Sequence, residues 1–388
     1  MKHVWKNALP ILMLAGLCLA AKPSRWSVDL QRQYGFQPFD RYVSSAWTGQ
    51  QGVLFLTPEQ VIVYQVNRLP EAPDLKARNA AGGSGSFIME LRVLSARDGH
   101  LIHAFRLPTN AERSSVHALN GGRFLVRTGN ILYLYSAEFT ELAHKTLTIV
   151  HSAPRENWQI AVSPSRAQVV LVHSQIFHTP QFLMDGTTIS EGQSKTDVEF
   201  VDPATLATTK TFSLGHTLAV WAPVDDFLIT SDPAHSYSHG ELGLLDDKGK
   251  WTALKSEVKI EAHDCPFDLI PAGHHSVALL GCGRVLVLTA EGNVLYDHSA
   301  VDCRFSSATA TGDYLAAQCD RYREATTAPR GSSFTVAKPD HIELHDVNRR
   351  KRLLSRKFRT QKVSYAVSER GDVAIADGPT LTMLGAEE

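Results

Sequence analysis

The stretch SVHALNGGRFLVRTGNILYLYSAEFTELAHKTL, residues 115–147, decides the fold. It holds four short apolar runs, Ser115 to Leu119, Arg123 to Thr128, Ile131 to Ser136 and Leu142 to Leu147. Between them stand Asn120-Gly121-Gly122, Thr128-Gly129-Asn130 and a polar connection. Runs of this length read as strands, and Gly and Asn tolerate the positive φ that tight hairpin turns require. The stretch is therefore a four-stranded antiparallel unit, with strands a to d in chain order.

The same unit recurs in both directions. First strands begin near Val53, Ser115, Trp158, Thr217, Cys265, Asp302 and Lys362, with spacings of about 40 to 60 residues. The longer units keep the same strands and carry an insertion after strand b. Tips such as Ala96-Arg97-Asp98-Gly99-His100, Asp246-Asp247-Lys248-Gly249-Lys250 and Ala290-Glu291-Gly292-Asn293 mark the c-to-d turns. Strand-length apolar runs at this period signal propeller blades, and no segment shows a sustained 3.6-residue period. The predicted architecture is all-β: one seven-bladed β-propeller spanning residues 22–388, with six or eight blades as alternatives.

The last unit shows Val363 to Ser368, Asp372 to Ala376 and Thr380 to Leu384, and no strand d. A ring needs that edge filled, and a strand from the other terminus is the usual donor. Residues 25–47 are expected to complete the last blade, with Arg41 to Trp47 as the strand-like part.

Two hairpins, Val198-Glu199-Phe200-Val201-Asp202-Pro203-Ala204-Thr205-Leu206-Ala207-Thr208-Thr209-Lys210-Thr211-Phe212 and Arg92 to Phe105, show a strand, an Asp-containing turn and a strand. In this the chain resembles bacterial exported seven-bladed propellers of the YVTN and WD-repeat-like type. The resemblance implies the fold and no particular activity.

The chain opens with Lys2, His3 and Lys6 and continues with an uncharged apolar run from Ala8 to Ala21. Fourteen residues fall short of the roughly 20 a spanning helix needs, and the run ends Leu19-Ala20-Ala21. Residues 1–21 are read as a signal peptide, with an uncleaved anchor as the alternative, and the mature chain as secreted or periplasmic. Cleavage takes the formal net charge from −1 to about −3, which supplies no basic field for nucleic acid.

Four cysteines survive cleavage. Cys265 opens strand a of the fifth unit and Cys282 ends its strand b; Cys303 and Cys319 hold the matching places in the sixth. The start of one strand and the end of its hairpin partner lie side by side, at bridging distance. An oxidising compartment keeps such bonds. The expected disulfides are Cys265–Cys282 and Cys303–Cys319, with the other two pairings of the four as alternatives; paired C-x-x-C spacing for a metal is absent.

Four insertions, Asn67 to Ser86, Ser174 to Lys195, Ser231 to His239 and Asp320 to Ala337, all fall between strands b and c. They should emerge on one face, where recognition usually resides. His173, His178, His235, Tyr237, His239 and His263 belong to that side; His235, Tyr237 and His239 are candidate binding residues there, the alternative being ordinary surface residues, as the other histidines are read. His235 and His239 have metal-helix spacing, but Pro233, Ser236, Ser238 and Gly240 make the segment a loop. Arg321, Tyr322 and Arg323 could clasp a carboxylate or sugar, the alternative being a solvated loop. The run Arg349, Arg350, Lys351, Arg352, Arg356, Lys357, Arg359 is the densest positive patch and is read as outward-facing charge, with an anionic glycan or phospholipid surface as the alternative partner.

No Gly-x-Ser-x-Gly elbow and no phosphate loop occur. The expected function is a non-enzymatic, monomeric binding scaffold for a protein, peptide or glycan, with no catalytic residue, cofactor or metal assigned. The alternative is a propeller enzyme, such as a lactonase, lyase or quinone-dependent dehydrogenase, whose site lies at the central channel.

Overall fold

Alternating apolar residues and Gly-bearing turns fold the repeated units into four-stranded antiparallel sheets, seen in a computed structural model. It describes residues 24–37, 51–68, 87–109, 114–148, 155–178, 181–182, 188–190, 193–218, 220–231, 242–255, 268–273, 275–324, 335–360 and 363–385. Blade 1 pairs Gln51–Thr57, Gln60–Arg68, Phe87–Ser95 and Leu101–Thr109 in that order. Blade 2 pairs Ser114–Ala118, Phe124–Thr128, Ile131–Tyr135 and Glu141–Thr146. Blade 3 pairs Arg155–Val162, Val169–His178, Gln193–Val201 and Thr208–Leu214. Blade 4 pairs Trp221–Val224, Phe227–Ser231, Leu242–Leu245 and Trp251–Ala253.

Blades 5 and 6 share one continuous sheet built on Asp268–Ala272, Ser276–Thr289, Val294–Thr311, Tyr314–Glu324, Thr335–Asp346 and Lys351–Lys357. The long segment Ser276–Thr289 turns back on itself at Gly283, whose φ is 68°. Its side chains record the corner: Val277 and Leu279 before it share a core with Leu286 and Leu288 after it, a change of parity that an unbroken strand cannot make. Val294–Thr311 leaves blade 5 as its outer strand and enters blade 6 as its inner one.

The ring closes as the missing edge requires. Ser24–Asp29 pairs antiparallel with Thr380–Leu384 and completes blade 7 beside Val363–Val367 and Val373–Asp377. The closing strand lies upstream of Arg41 to Trp47, the part expected to pair, which is outside the described residues. Trp26 and Val28 decide the placement, because both point into the apolar cluster between blades 7 and 1.

Seven apolar clusters fill the seven seams. The 7/1 seam holds Val61, Val63, Ala374 and Met383, and the 1/2 seam Ile62, Leu91 and Phe124. Leu132 with Leu171, Phe200 with Leu228, Ile229 with Leu279, Val285 with Phe305, and Leu344 with Ile375 continue the series. Both faces of the inner strands of each blade are thereby buried, which is why Val61, Ile62 and Val63 are all fully buried in succession. First strands contact each other in unbroken order around the ring. Among the described residues, the one α-helix is Leu30–Tyr34, and no helix is long and apolar enough to cross a membrane. The chain is an all-β, seven-bladed β-propeller.

Candidate functional site

The first strands enclose a central channel with a cavity of about 420 Å³. Its lining is small and apolar at most positions, including Ala118, Ala161, Ala308, Ala310 and Ala366. His117 and Arg166 are the titratable side chains of that lining. Arg166, with φ of 55°, donates its guanidinium to the carbonyls of Leu56 and Phe55 at 3.2 and 3.3 Å. His117 Nε2 lies 3.0 Å from Ser115 Oγ, and burial with the nearby Arg127 charge pushes its imidazole down to about 4. Three groups able to share a proton or a ligand do not meet among the described lining residues.

They meet instead in the seam between blades 5 and 6. His298 comes from the outer strand of blade 5; Glu343 and His345 come from the third strand of blade 6, and the three ligand-bearing atoms lie within 4.8 Å of one another. Glu343 Oε2 accepts from His298 Nε2 at 3.0 Å and lies 3.5 Å from His345 Nε2. Its other oxygen, Oε1, accepts from Arg352 Nη1 at 2.5 Å and faces His341 Nε2 at 3.4 Å. Burial would raise the Glu343 carboxyl, but hydrogen bonds from His341 and Arg352 and the adjoining positive charge overcome it and hold the group at about 2. Glu343 is thus an ionised carboxylate with its side chain 1% exposed.

His345 is fully buried, and burial pushes it down to about 3 against the pull of Glu343. Tyr296 Oη lies 2.7 Å from its Nδ1, while its Nε2 has no hydrogen-bond partner. His341 moves the other way, raised chiefly by its hydrogen bond to Glu343. The seam therefore gathers three imidazoles and Arg352 around the Glu343 carboxylate, with Glu343 and His345 buried and Arg352 reaching in from the surface.

Of the residues singled out from sequence, Arg321 reaches the edge of this cluster. Its Nε is 3.2 Å from Asp340 Oδ2, which also faces His341 Nδ1 at 2.9 Å. Asp320 to Glu324 is strand, which corrects the reading of this stretch as a solvated loop. The side chains of Tyr322 and Arg323 lie outside the described set, as do His235, Tyr237, His239 and His263. His173 is a correction: it is buried in the second strand of blade 3, stacked on Trp158 at 4.2 Å and facing Glu156 at 3.2 Å, not a surface residue. The basic run is corrected at Arg352, which turns into the seam to hold Glu343.

Cys303 and Cys319 are joined, with Cα atoms 5.4 Å apart on the first two strands of blade 6. For the expected Cys265–Cys282 bond, Cys265 and the Cys282 side chain lie outside the described set. The four b-to-c insertions lie between second and third strands of blades 1, 3, 4 and 6 as expected, but those of blades 3 and 6 are shorter than read, since Ser174 to His178, Gln193 to Lys195, Asp320 to Glu324 and Thr335 to Ala337 belong to strands. Both hairpins that carry the resemblance are c-to-d hairpins, of blades 3 and 1, and Asp202 Oδ1 accepts from the Ala204 and Thr205 amides at 2.6 and 3.3 Å in the first.

His298, Glu343 and His345 escaped sequence reading because 45 residues and a blade boundary separate the first from the others. One signal was present. His341-Ile342-Glu343-Leu344-His345 alternates ionisable and apolar residues, which sets three ionisable side chains on one face of a third strand.

The fold is that of a β-propeller, and the chain is similar to several solved structures. The β-propeller domain of the Trilobed protease from Pyrococcus furiosus is 9% identical over 89% of this chain and 95% of that one, with a TM-score of 0.48. The WD40 domain of SCAP from fission yeast is 10% identical over 87% and 96%, with a TM-score of 0.41. BamB from Moraxella catarrhalis is 13% identical over 86% and 84%, with a TM-score of 0.38. No family model and no curated protein matches the chain.

Proposed function

We propose that the chain is an exported, non-enzymatic interaction scaffold that presents its b-to-c connections to a protein, peptide or glycan. The observation that carries this reading is the placement of the four long insertions. All lie between second and third strands, so the connections leave the ring at the same end of their blades. A ring closed through Ser24–Asp29 and stapled by Cys303–Cys319 is a rigid support for such loops. The disulfide and the leader-like residues 1–21 support an oxidising compartment outside the cytoplasm. The rival, an enzyme working at the central channel, has His117 and Arg166 as its titratable groups among the described lining residues.

The test is in-cell cross-linking of the full chain against a variant with residues 69–86 and 325–334 replaced by short Gly-Ser linkers. Cross-links to a defined partner should map to the insertion face and disappear in the variant, whose thermal midpoint stays unchanged. Cross-links that survive the replacement contradict the reading.

A further inference from the structure

We propose that His298, Glu343 and His345 bind a divalent transition-metal ion, zinc by ligand chemistry, in the seam between blades 5 and 6. Two imidazole nitrogens and one carboxylate oxygen suit zinc, whereas calcium and magnesium demand oxygen ligands.

The geometry is close to what such an ion needs. Ligands held about 2.0–2.2 Å from a tetrahedral centre are roughly 3.3–3.6 Å apart. Glu343 Oε2 stands 3.0 Å from His298 Nε2 and 3.5 Å from His345 Nε2. The remaining edge, between the two imidazoles, lies within 4.8 Å and must shorten. His298 is the ligand able to move, since its side chain is 20% exposed on the outer strand while those of the other two are fixed at 0% and 1%.

The second, independent observation is the bare nitrogen. His345 Nε2 is buried and has no hydrogen-bond partner, a state that costs free energy unless something fills it. Its other nitrogen faces Tyr296 Oη at 2.7 Å; when Nδ1–H donates there, the Nε2 lone pair is left pointing at the site. This is the arrangement by which an outer group fixes the tautomer of a metal-binding imidazole. Glu343 is divided in the same sense, with Oε1 taken by Arg352 and His341 and Oε2 left to the two ligand imidazoles. An ion here would tie the outer strand of blade 5 to blade 6, and the partly exposed His298 gives it a way in.

The experiment uses the full chain, disulfides intact, freed of any affinity tag and stripped with chelator. Calorimetric titration with zinc alone should give one equivalent per chain and a raised thermal midpoint. Cobalt alone should give a visible absorption band. His298→Ala should weaken zinc binding by at least about 100-fold and abolish the cobalt band, and Tyr296→Phe should weaken it by about 10–100-fold. The exposed His144→Ala should change neither. His298→Ala is the decisive variant because its position near the rim spares the fold, which circular dichroism of the metal-free protein checks. Absence of stoichiometric binding, or binding that His298→Ala leaves intact, overturns the proposal.

Discussion

Two glutamates occupy like positions and do different things. Glu90 in blade 1 and Glu343 in blade 6 both sit on third strands, both are buried, and each is paired with an arginine of the adjoining fourth strand, Arg106 at 2.9 Å and Arg352 at 2.5 Å. The rest of the Glu90 shell consists of the Asn67 amide and the Gln37 backbone N–H, each at 3.2 Å, and Arg92 at 3.8 Å. Those groups meet Glu90 through N–H donors, and the one acceptor among them, Asn67 Oδ1, is taken by Gln65 at 2.6 Å. Arg92 in turn lies over the Phe36 ring at 4.9 Å and donates to the Tyr34 carbonyl, so Glu90 anchors the N-terminal segment that closes the ring. The shell of Glu343 is built from imidazoles, which exchange a donated proton for a lone pair. The same buried charge is structural where amides and guanidinia surround it and ligand-ready where histidines do.

The largest expected effect comes from breaking the structural member. Glu90→Ala strands Arg92, whose side chain is 5% exposed, and should cost about 3–5 kcal/mol in urea unfolding. Glu343→Ala should cost less, because Arg352 is half-exposed and can turn to solvent. Equal losses would erase the distinction. Next, replacing Cys303 and Cys319 by Ser together removes a staple closing 16 residues of chain and should cost about 3 kcal/mol, read as the shift of the variant's urea unfolding curve from that of the parent chain. A smaller effect sharpens the Glu90 side. Gly99 has φ of 77°, and a Cβ there would stand 3.0 Å from the Trp26 ring that the closing strand carries. Gly99→Ala should therefore cost about 1–2 kcal/mol, with loosened packing visible in Trp fluorescence.

The smallest effect is a change of slope at a site in neither pair. His117 titrates at about 4 in the folded channel against 6.5 ordinarily, so the unfolded chain takes the proton first as the pH falls. Its share of stability is full above about pH 6.5 and is lost on the way down to about 4. His117→Gln should flatten the urea midpoint between about pH 7 and 4.5 relative to the parent chain. An unchanged slope would mean that the imidazole stays hydrated.

The fold was legible because its signals are local. Each hairpin carries its own turn residues, such as Asn120-Gly121-Gly122, and the insertions sit inside units whose flanking strands keep their pattern. The Cys303–Cys319 bond followed from strand position alone. The closing strand was misplaced within the N-terminal segment because Arg41 to Trp47 is the more apolar run while Ser24–Asp29 offers only Trp26 and Val28, and it is the seam between blades 7 and 1 that takes those two side chains. The blade 5/6 cluster was illegible for a different reason. Its members meet through the stacking of one blade on the next, and Tyr296, His298 and Arg352 each read as an ordinary residue of its own strand.

The comparison is tested most directly by hydrogen exchange of the chelator-stripped chain with and without zinc. Zinc should slow exchange in peptides covering Val294 to Ser299 and His341 to Asp346 and leave those covering Phe87–Ser95 untouched. No added protection in the first two, or equal protection around Glu90, would contradict the assignment of a ligand role to one buried carboxylate and a structural role to the other.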